Sequence, residues 1–382
     1  MHLGALTGIT VLDLTRVLAG PFCTMVLAEL GARVIKIEAP PDGDDSRQYG
    51  PFLEGRSAYF LSLNRGKESL RLNLKDPGDR AVFLRLVEKA DVLAENFRPG
   101  AMERLGLGWP QLQGRNPRLI YAALSGFGQT GPRAAQPAYD LVIQAMGGIM
   151  SITGQPGAPP TRVGSSMGDI TAGLYCAIGI NAALYHREKS GRGMLVDVAM
   201  LDCQVAILEN ALARLAAEGV PPGPLGARHP SITPFDAFRA SDGWLVICAG
   251  NDRLFAELAR VLGRPQLAED PRFIDNPGRT QNHEALKKEM EAALAAHPVE
   301  HWLAALQKAG VPSGPVNDMA KLMAEPQIAA RNMLVSMPAG GDATIRVAGN
   351  PIKLSSFADP PNRPAAPELD GDRTAILKEL ES

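Results

Sequence analysis

The sequence predicts an α/β protein built on an open, doubly wound parallel sheet, with a second, smaller α+β unit. Three observations carry this. Short apolar, β-branched runs alternate with helix-compatible segments through residues 1–200. A proline- and glycine-rich stretch, GVPPGPLGARHPSITP from Gly219 to Pro234, interrupts that alternation. Finally, 382 residues exceed the usual size of one domain.

Taken in order, Gly8–Leu14 (GITVLDL) reads as a strand. The turn Thr15–Pro21 leads from it into a helix over Phe22–Leu30, and Pro21 suits a first helical position. Arg33–Glu38 (RVIKIE) is the next strand, so the first forty residues or so form one β-α-β unit with a right-handed crossover. The pattern repeats as a helix over Asp79–Lys89, a strand over Asp91–Glu95, a helical turn over Met102–Leu105 and a strand over Leu119–Leu124. Asp140–Ile149 and Ile170–Tyr185 are apolar helices, Met194–Val198 is a further strand, and Leu201–Ala217 is helix-compatible. Beyond the Pro/Gly stretch come a strand over Trp244–Ala249 and helices over Arg253–Leu262, Asn282–Ala295 and Glu300–Ala309. GVPSGPVND from Gly310 closes this unit. Short strands follow from about Ile328, and Ala358–Pro367 reads as an extended surface segment.

In such a sheet, ligands lie outside the carboxyl ends of the strands. Three loops meet that description: Thr15–Pro21, Asn96–Ala101 and Ser125–Pro132.

Composition narrows the function. Hydrophobic residues make up 45% and charged residues 21%, which suits a folded globular chain. A net charge of −2 provides no global positive field for nucleic acid or an anionic membrane, so any anionic ligand needs local Lys and Arg. Cys23, Cys176, Cys203 and Cys248 match neither a disulfide framework nor a metal spacing, and read as thiols in a reducing cytoplasm. The amino terminus has no export signal, and no apolar run approaches the roughly 18 residues of a membrane span.

The chemistry is narrowed in the same way. No HExxH pair, GxSxG elbow, Walker loop or GxGxxG occurs, and no metal site is expected. What stands out is VGSSMGDITAGLY from Val163, which leads through Gly168 to Asp169 and then into an uncharged helix. Taken alone, an Asp there is a helix cap. Carboxylate nucleophilic catalysis is the alternative, because a carboxyl with an ordinary pKa of about 3.9 is ionised at neutral pH and needs no base. It would need an activated acyl group and backbone N–H donors for the oxyanion.

Several stretches together resemble the family III CoA-transferases, the group of formyl-CoA transferase and carnitine-CoA transferase. They are VLDLTRVLAGPFCTMVLAELGARVIKIEAP from Val11, LNLKDPGDR from Leu72, ADVLAENFRPGAMERLGLG from Ala90, NPRLIYAALSGFGQTGP from Asn116, GDITAG from Gly168 and HREKSGRGMLVDVAM from His186. HPSITPFDAF from His229 and GVPSGPVND from Gly310 also fit, so the likeness covers nearly the whole chain in order. It implies a Rossmann-like large domain made of residues 1–200 and a return segment 326–382, a linker 201–224, a small α+β domain 225–325 and an interlocked homodimer. It also implies Asp169 as nucleophile, forming first an aspartyl anhydride and then an aspartyl-CoA thioester. Coenzyme A is then a substrate thioester and no further cofactor is called for. The CoA contacts implied by position are Val17, Leu18, Ala19, Lys75, Asn96, Phe97, Ala101, Arg104, Tyr139 and Met200.

The chain departs from formyl-CoA transferase in three places. Ala39 and Pro137 replace basic residues, which moves phosphate binding to Arg47 or Lys67. ICAGNDR from Ile247 lacks the tetraglycine loop, which shifts the expected substrates toward succinyl-CoA or another short or dicarboxylic acyl-CoA, with His229 or Arg228 on a distal carboxylate. α-Methylacyl-CoA racemase is similar throughout but needs a His where this chain has Tyr139, a poor base with an ordinary pKa of about 10. Racemase chemistry and a non-catalytic acyl-CoA binder are the alternatives.

Overall fold

The computed structural model describes residues 3–381. The chain forms two compact units. One comprises the chain up to Ser151, Arg162–Pro221 and Pro326 onward; the other comprises Ile152–Thr161 and Pro222–Glu325. Residues 201–221, expected as linker, therefore belong to the larger unit.

In the larger unit, β1 (Thr10–Asp13), α1 (Ala19–Glu29) and β2 (Arg33–Glu38) form the opening β-α-β unit. A small hairpin, β3 (Phe52–Leu53) and β4 (Arg56–Ser57), and α2 (Ala58–Asn64) lead to β5 (Glu68–Arg71). Next come α3 (Pro77–Lys89), β6 (Val92–Glu95), α4 (Ala101–Arg104), α5 (Trp109–Arg115) and β7 (Ile120–Ser125). After α6 (Asp140–Met146) and α7 (Ile149–Ile152), the long α8 (Met167–Ser190) carries the chain to β8 (Leu195–Ala199). The helix expected over Leu201–Ala217 is two, α9 (Met200–Ala206) and α10 (Asn210–Glu218), because Glu209 takes a positive φ of 31° that no helix tolerates.

The six strands run in the order β5-β2-β1-β6-β7-β8, and every pairing is parallel. The central strands β1, β6 and β7 are buried on both faces, which is why they read as nearly continuous apolar runs, whereas the edge strands β5 and β8 do not. Val11, Val34, Ala94 and Ala122 point to one face and pack with Cys23, Leu27, Cys176 and Ile180 of α1 and α8. Leu12, Ile35, Leu93 and Tyr121 point to the other and pack with Phe83, Leu86 and Ile376.

In the smaller unit, β9 (Phe235–Arg239), β10 (Trp244–Cys248) and β11 (Ser313–Pro315) form an antiparallel sheet in the order β11-β10-β9. It packs with α11 (Asp252–Val261), α13 (His283–Leu294) and α14 (Val299–Lys308), while α12 (Asn276–Gln281) lies between α11 and α13 in the chain. α15 (Met319–Ala324) ends this unit, and α16 (Pro326–Ala330) begins the return. A hairpin, β12 (Leu334–Gly340) and β13 (Ala343–Ala348), then packs on Phe60 and Leu61 of α2.

The segment Ala358–Pro367 runs irregularly along the surface as expected, with most of its residues exposed or half-buried, and it is pinned at two points. Arg363 is buried and pairs with Glu29 at 2.9 Å, and the Pro367 carbonyl accepts from Arg47. A terminal helix, α17 (Arg373–Glu381), follows and buries Ile376 and Leu380.

Candidate active site

From β1 the chain steps outward through β2 to β5, then returns to the other side of β1 as β6. The loops after β1 and β6 therefore leave in opposite directions, and such a switch point opens a crevice at the carboxyl ends of the strands. The two loops are stitched together across it. The Asn96 side chain accepts from the Arg16 N–H at 2.8 Å and donates to the Arg16 carbonyl at 2.8 Å, as a strand partner would. Glu95 fixes the second loop by accepting the Phe97 N–H at 2.7 Å.

α8 reaches the same crevice. Gly173 lets it lie close on α1, since a Cβ there would stand 2.7 Å from the Ala19 carbonyl oxygen. At its start, Asp169 is not the helix cap that its position taken alone would suggest. The N-cap position is Ser166, whose side chain makes no capping bond, and Asp169 lies inside the first turn. The cap comes from another helix: Asp140 Oδ1 accepts the Gly168 N–H at 2.8 Å and the Asp169 N–H at 3.4 Å. Gln144 secures that carboxylate by donating to Asp140 Oδ2 at 2.8 Å, and it accepts the Val163 N–H at 2.9 Å. With the helix end satisfied by Asp140, no hydrogen bond among the described residues engages the Asp169 carboxyl.

Burial, and then the like charge of Asp140, push the Asp169 carboxyl up to about 7. The premise that this group is fully ionised at neutral pH without help is thereby corrected for the open site. Tyr59 lies in the same field. Burial, followed by the charge of Asp169, pushes its phenol up to about 12.

A cavity of about 570 Å³ opens here. Its walls include Asp169 and nine of the ten expected CoA contacts: Val17, Leu18, Ala19, Asn96, Phe97, Ala101, Arg104, Tyr139 and Met200. Lys75 is not among its walls. It is exposed in the turn before α3, where its N–H binds Asn73.

Arg47 and Lys67 are also absent from the walls, and both are consumed within the fold. Arg47 forks onto Glu38 at 2.7 and 2.8 Å, and Lys67 Nζ donates to Asp13, Thr24 and Asn64. The cavity's own cations are Arg16, Arg98 and Arg104, set against Asp45 and Asp169. In the smaller unit, His229 Nδ1 accepts the Ser231 N–H and Arg228 donates to the Thr280 carbonyl.

Arg16 in the cavity wall, Asp140 capping α8 and Tyr59 in the field of Asp169 carry no sequence motif that announces these places. Asp140 stands beside Tyr139 in the AYD triplet, but nothing local says that it would cap a helix 28 residues later. By length and composition α8 could cross a membrane; here its inner face packs in the core with α1.

A family model for CoA-transferase family III matches residues 6–373. The chain is 53% identical to an acetyl-CoA:oxalate CoA-transferase of Acetobacter aceti, over 99% of this chain and 96% of that protein. It is 43% identical to a succinyl-CoA:mesaconate CoA-transferase of Haloarcula hispanica, with the same two coverages. Among solved structures, a CaiB/BaiF family protein from Brucella suis superposes with a TM-score of 0.88 at 39% identity, covering 100% of both chains.

Proposed function

The chain belongs to CoA-transferase family III, and from that premise we propose that it moves CoA from an acyl-CoA thioester to a carboxylic acid through covalent intermediates on Asp169. The observation that carries this is a carboxyl turned to a cavity wall without a hydrogen-bond partner among the described residues, at a helix start whose cap is supplied by Asp140.

An Asp169 oxygen attacks the thioester carbonyl, the C–S bond breaks, and CoA thiolate leaves a mixed anhydride on the enzyme. The thiolate then attacks the aspartyl carbonyl and expels the donor acid as a carboxylate, leaving an aspartyl-CoA thioester. The acceptor carboxylate repeats the sequence in reverse, so the new thioester departs and the Asp169 carboxylate is restored. Protons balance without a base, since every species attacking or leaving is an anion. Arg16, Arg98 and Arg104 supply the local positive charge that a phosphate-bearing ligand needs on a chain of net charge −2.

The acceptors named in two relatives, oxalate and mesaconate, are both dicarboxylates, and we extend that class to this chain. The protein is incubated with succinyl-CoA or acetyl-CoA and a panel of acids, and thioesters are resolved by liquid chromatography. New dicarboxyl-CoA products are expected from the wild type. Wash-in of solvent deuterium at the α-carbon without thioester exchange would instead indicate racemase chemistry, and neither outcome would indicate a binder. The reading extends to a homodimer, supported by exposed Leu174, Ile178 and Tyr185 along α8. A monomer by light scattering at micromolar concentration contradicts that part.

A further inference from the structure

Val17 forms part of the cavity wall and has a φ of 68°, a left-handed backbone that a β-branched side chain resists. Something must hold it there. Its N–H donates to Asp44 Oδ1 at 3.1 Å. The same oxygen accepts the Ser46 N–H at 2.9 Å and hydroxyl at 2.8 Å, and the Asp44 N–H is anchored on Glu38 at 3.0 Å. The other oxygen, Oδ2, faces Lys36 Nζ at 2.8 Å, and that ammonium donates at 2.7 Å to the Thr15 carbonyl.

One buried ion pair therefore grips the wall on both sides of Arg16, by the carbonyl before it and by the amide after it. Lys36 is fully buried, Asp44 is 2% exposed, and neither lines the cavity. Buried ion pairs are weak contributors to stability, and apolar replacements often serve as well, so a geometric role fits this one better than a stabilising one.

We propose that the Lys36–Asp44 pair is a positioning device that locks Val17 in its left-handed conformation and so sets the wall against which acyl-CoA binds. The inference rests on reading the cavity as the acyl-CoA site.

Four proteins test it: wild type, Asp44→Ala, Val17→Gly and the double variant, each measured for kcat and for KM toward acyl-CoA. Asp44→Ala is expected to raise KM about tenfold or more with kcat within about threefold. The two changes should not add: Val17→Gly is expected to raise KM in the wild-type background, since glycine populates both signs of φ, and to raise it by less than about a third as much once Asp44 is gone, because the conformation it frees is then no longer held. A merely structural loss at Asp44 would lower kcat and the thermal transition and leave the effect of Val17→Gly on KM unchanged. An unchanged KM in Asp44→Ala, or additive effects in the double variant, overturns the proposal.

If Asp44→Ala does not fold, Val17→Pro removes the gripped N–H and the positive φ while leaving the ion pair intact. It is expected to raise KM with the thermal transition unmoved, and an unchanged KM again overturns the proposal. A wild-type protein that neither binds nor exchanges acyl-CoA would overturn the functional reading instead, which separates the two failures.

Discussion

Asp13, at the end of β1, and Asp169, at the start of α8, belong to the same unit and receive opposite treatment. Asp13 is fully buried with Lys67 at 2.9 Å and Thr24 at 2.7 Å. Burial pushes its carboxyl up, but Lys67 and Lys36 outweigh that and hold it well below the ordinary range. Asp44 and Glu38 follow the same rule, with Lys36 and Arg47 overcoming burial. Asp169 has no such partner, and its nearest titratable influence is another acid, so it rises to about 7. The fold spends its buried cations on Asp13, Asp44 and Glu38, which lie behind the cavity; of the two raised carboxyls it leaves without a cation, Glu95 is engaged by the Phe97 N–H and Asp169 is the one in the cavity wall. Perturbation of that kind, burial plus a like charge beside a cleft, marks a functional group more often than a structural one.

The contrast can be broken at either end. The largest effect expected is on turnover: Asp169→Asn should lower CoA exchange by about three orders of magnitude or more, as loss of a covalent nucleophile does. Its thermal transition should rise by a few degrees, more at pH 8 than at pH 5. The sign follows from linkage: a carboxyl raised in the folded state costs stability once pH exceeds its unfolded value, and the cost is complete above about 7. Lys67→Met should do the reverse, stranding Asp13 in the core and costing about 3–5 kcal/mol in chemical denaturation. A loss under about 1 kcal/mol would mean that the buried Lys67–Asp13 pair does not hold this part of the core.

The smallest effect concerns pH. kcat/KM should climb about tenfold per unit below pH 7 and level off above it, since only the ionised Asp169 attacks. Asp140→Asn keeps an oxygen for the Gly168 N–H but removes the like charge, so the midpoint should fall by about half a unit to one unit. An unmoved midpoint would assign the shift to burial alone.

Much of this was legible in the chain. The β-α-β opening, the loops at the strand ends and the acid after Gly168 could be placed because each is a local pattern. The departures have physical causes. β5, ESLR, is a half-polar edge strand and carries no apolar run. α17 follows a proline-rich segment, and only its contact with the sheet face explains it. Lys75 lies in LNLKDPGDR, one of the stretches that carry the family likeness, but its turn faces solvent and lines no part of the cavity. Arg47 and Lys67 appeared available as phosphate contacts because their partners, Glu38 and Asp13, are adjacent only in space. Asp140 is the instructive case: its capping of α8 is a tertiary fact, and it leaves the Asp169 carboxyl free.

Intact-protein and peptide mass spectrometry after incubation with an acyl-CoA, followed by hydroxylamine, tests the central claim most directly. The account predicts an acyl or CoA adduct that hydroxylamine converts to a hydroxamate on the peptide carrying Asp169, absent from Asp169→Asn. Exchange of thioesters with no modification of that peptide, or an adduct that persists in Asp169→Asn, would contradict it.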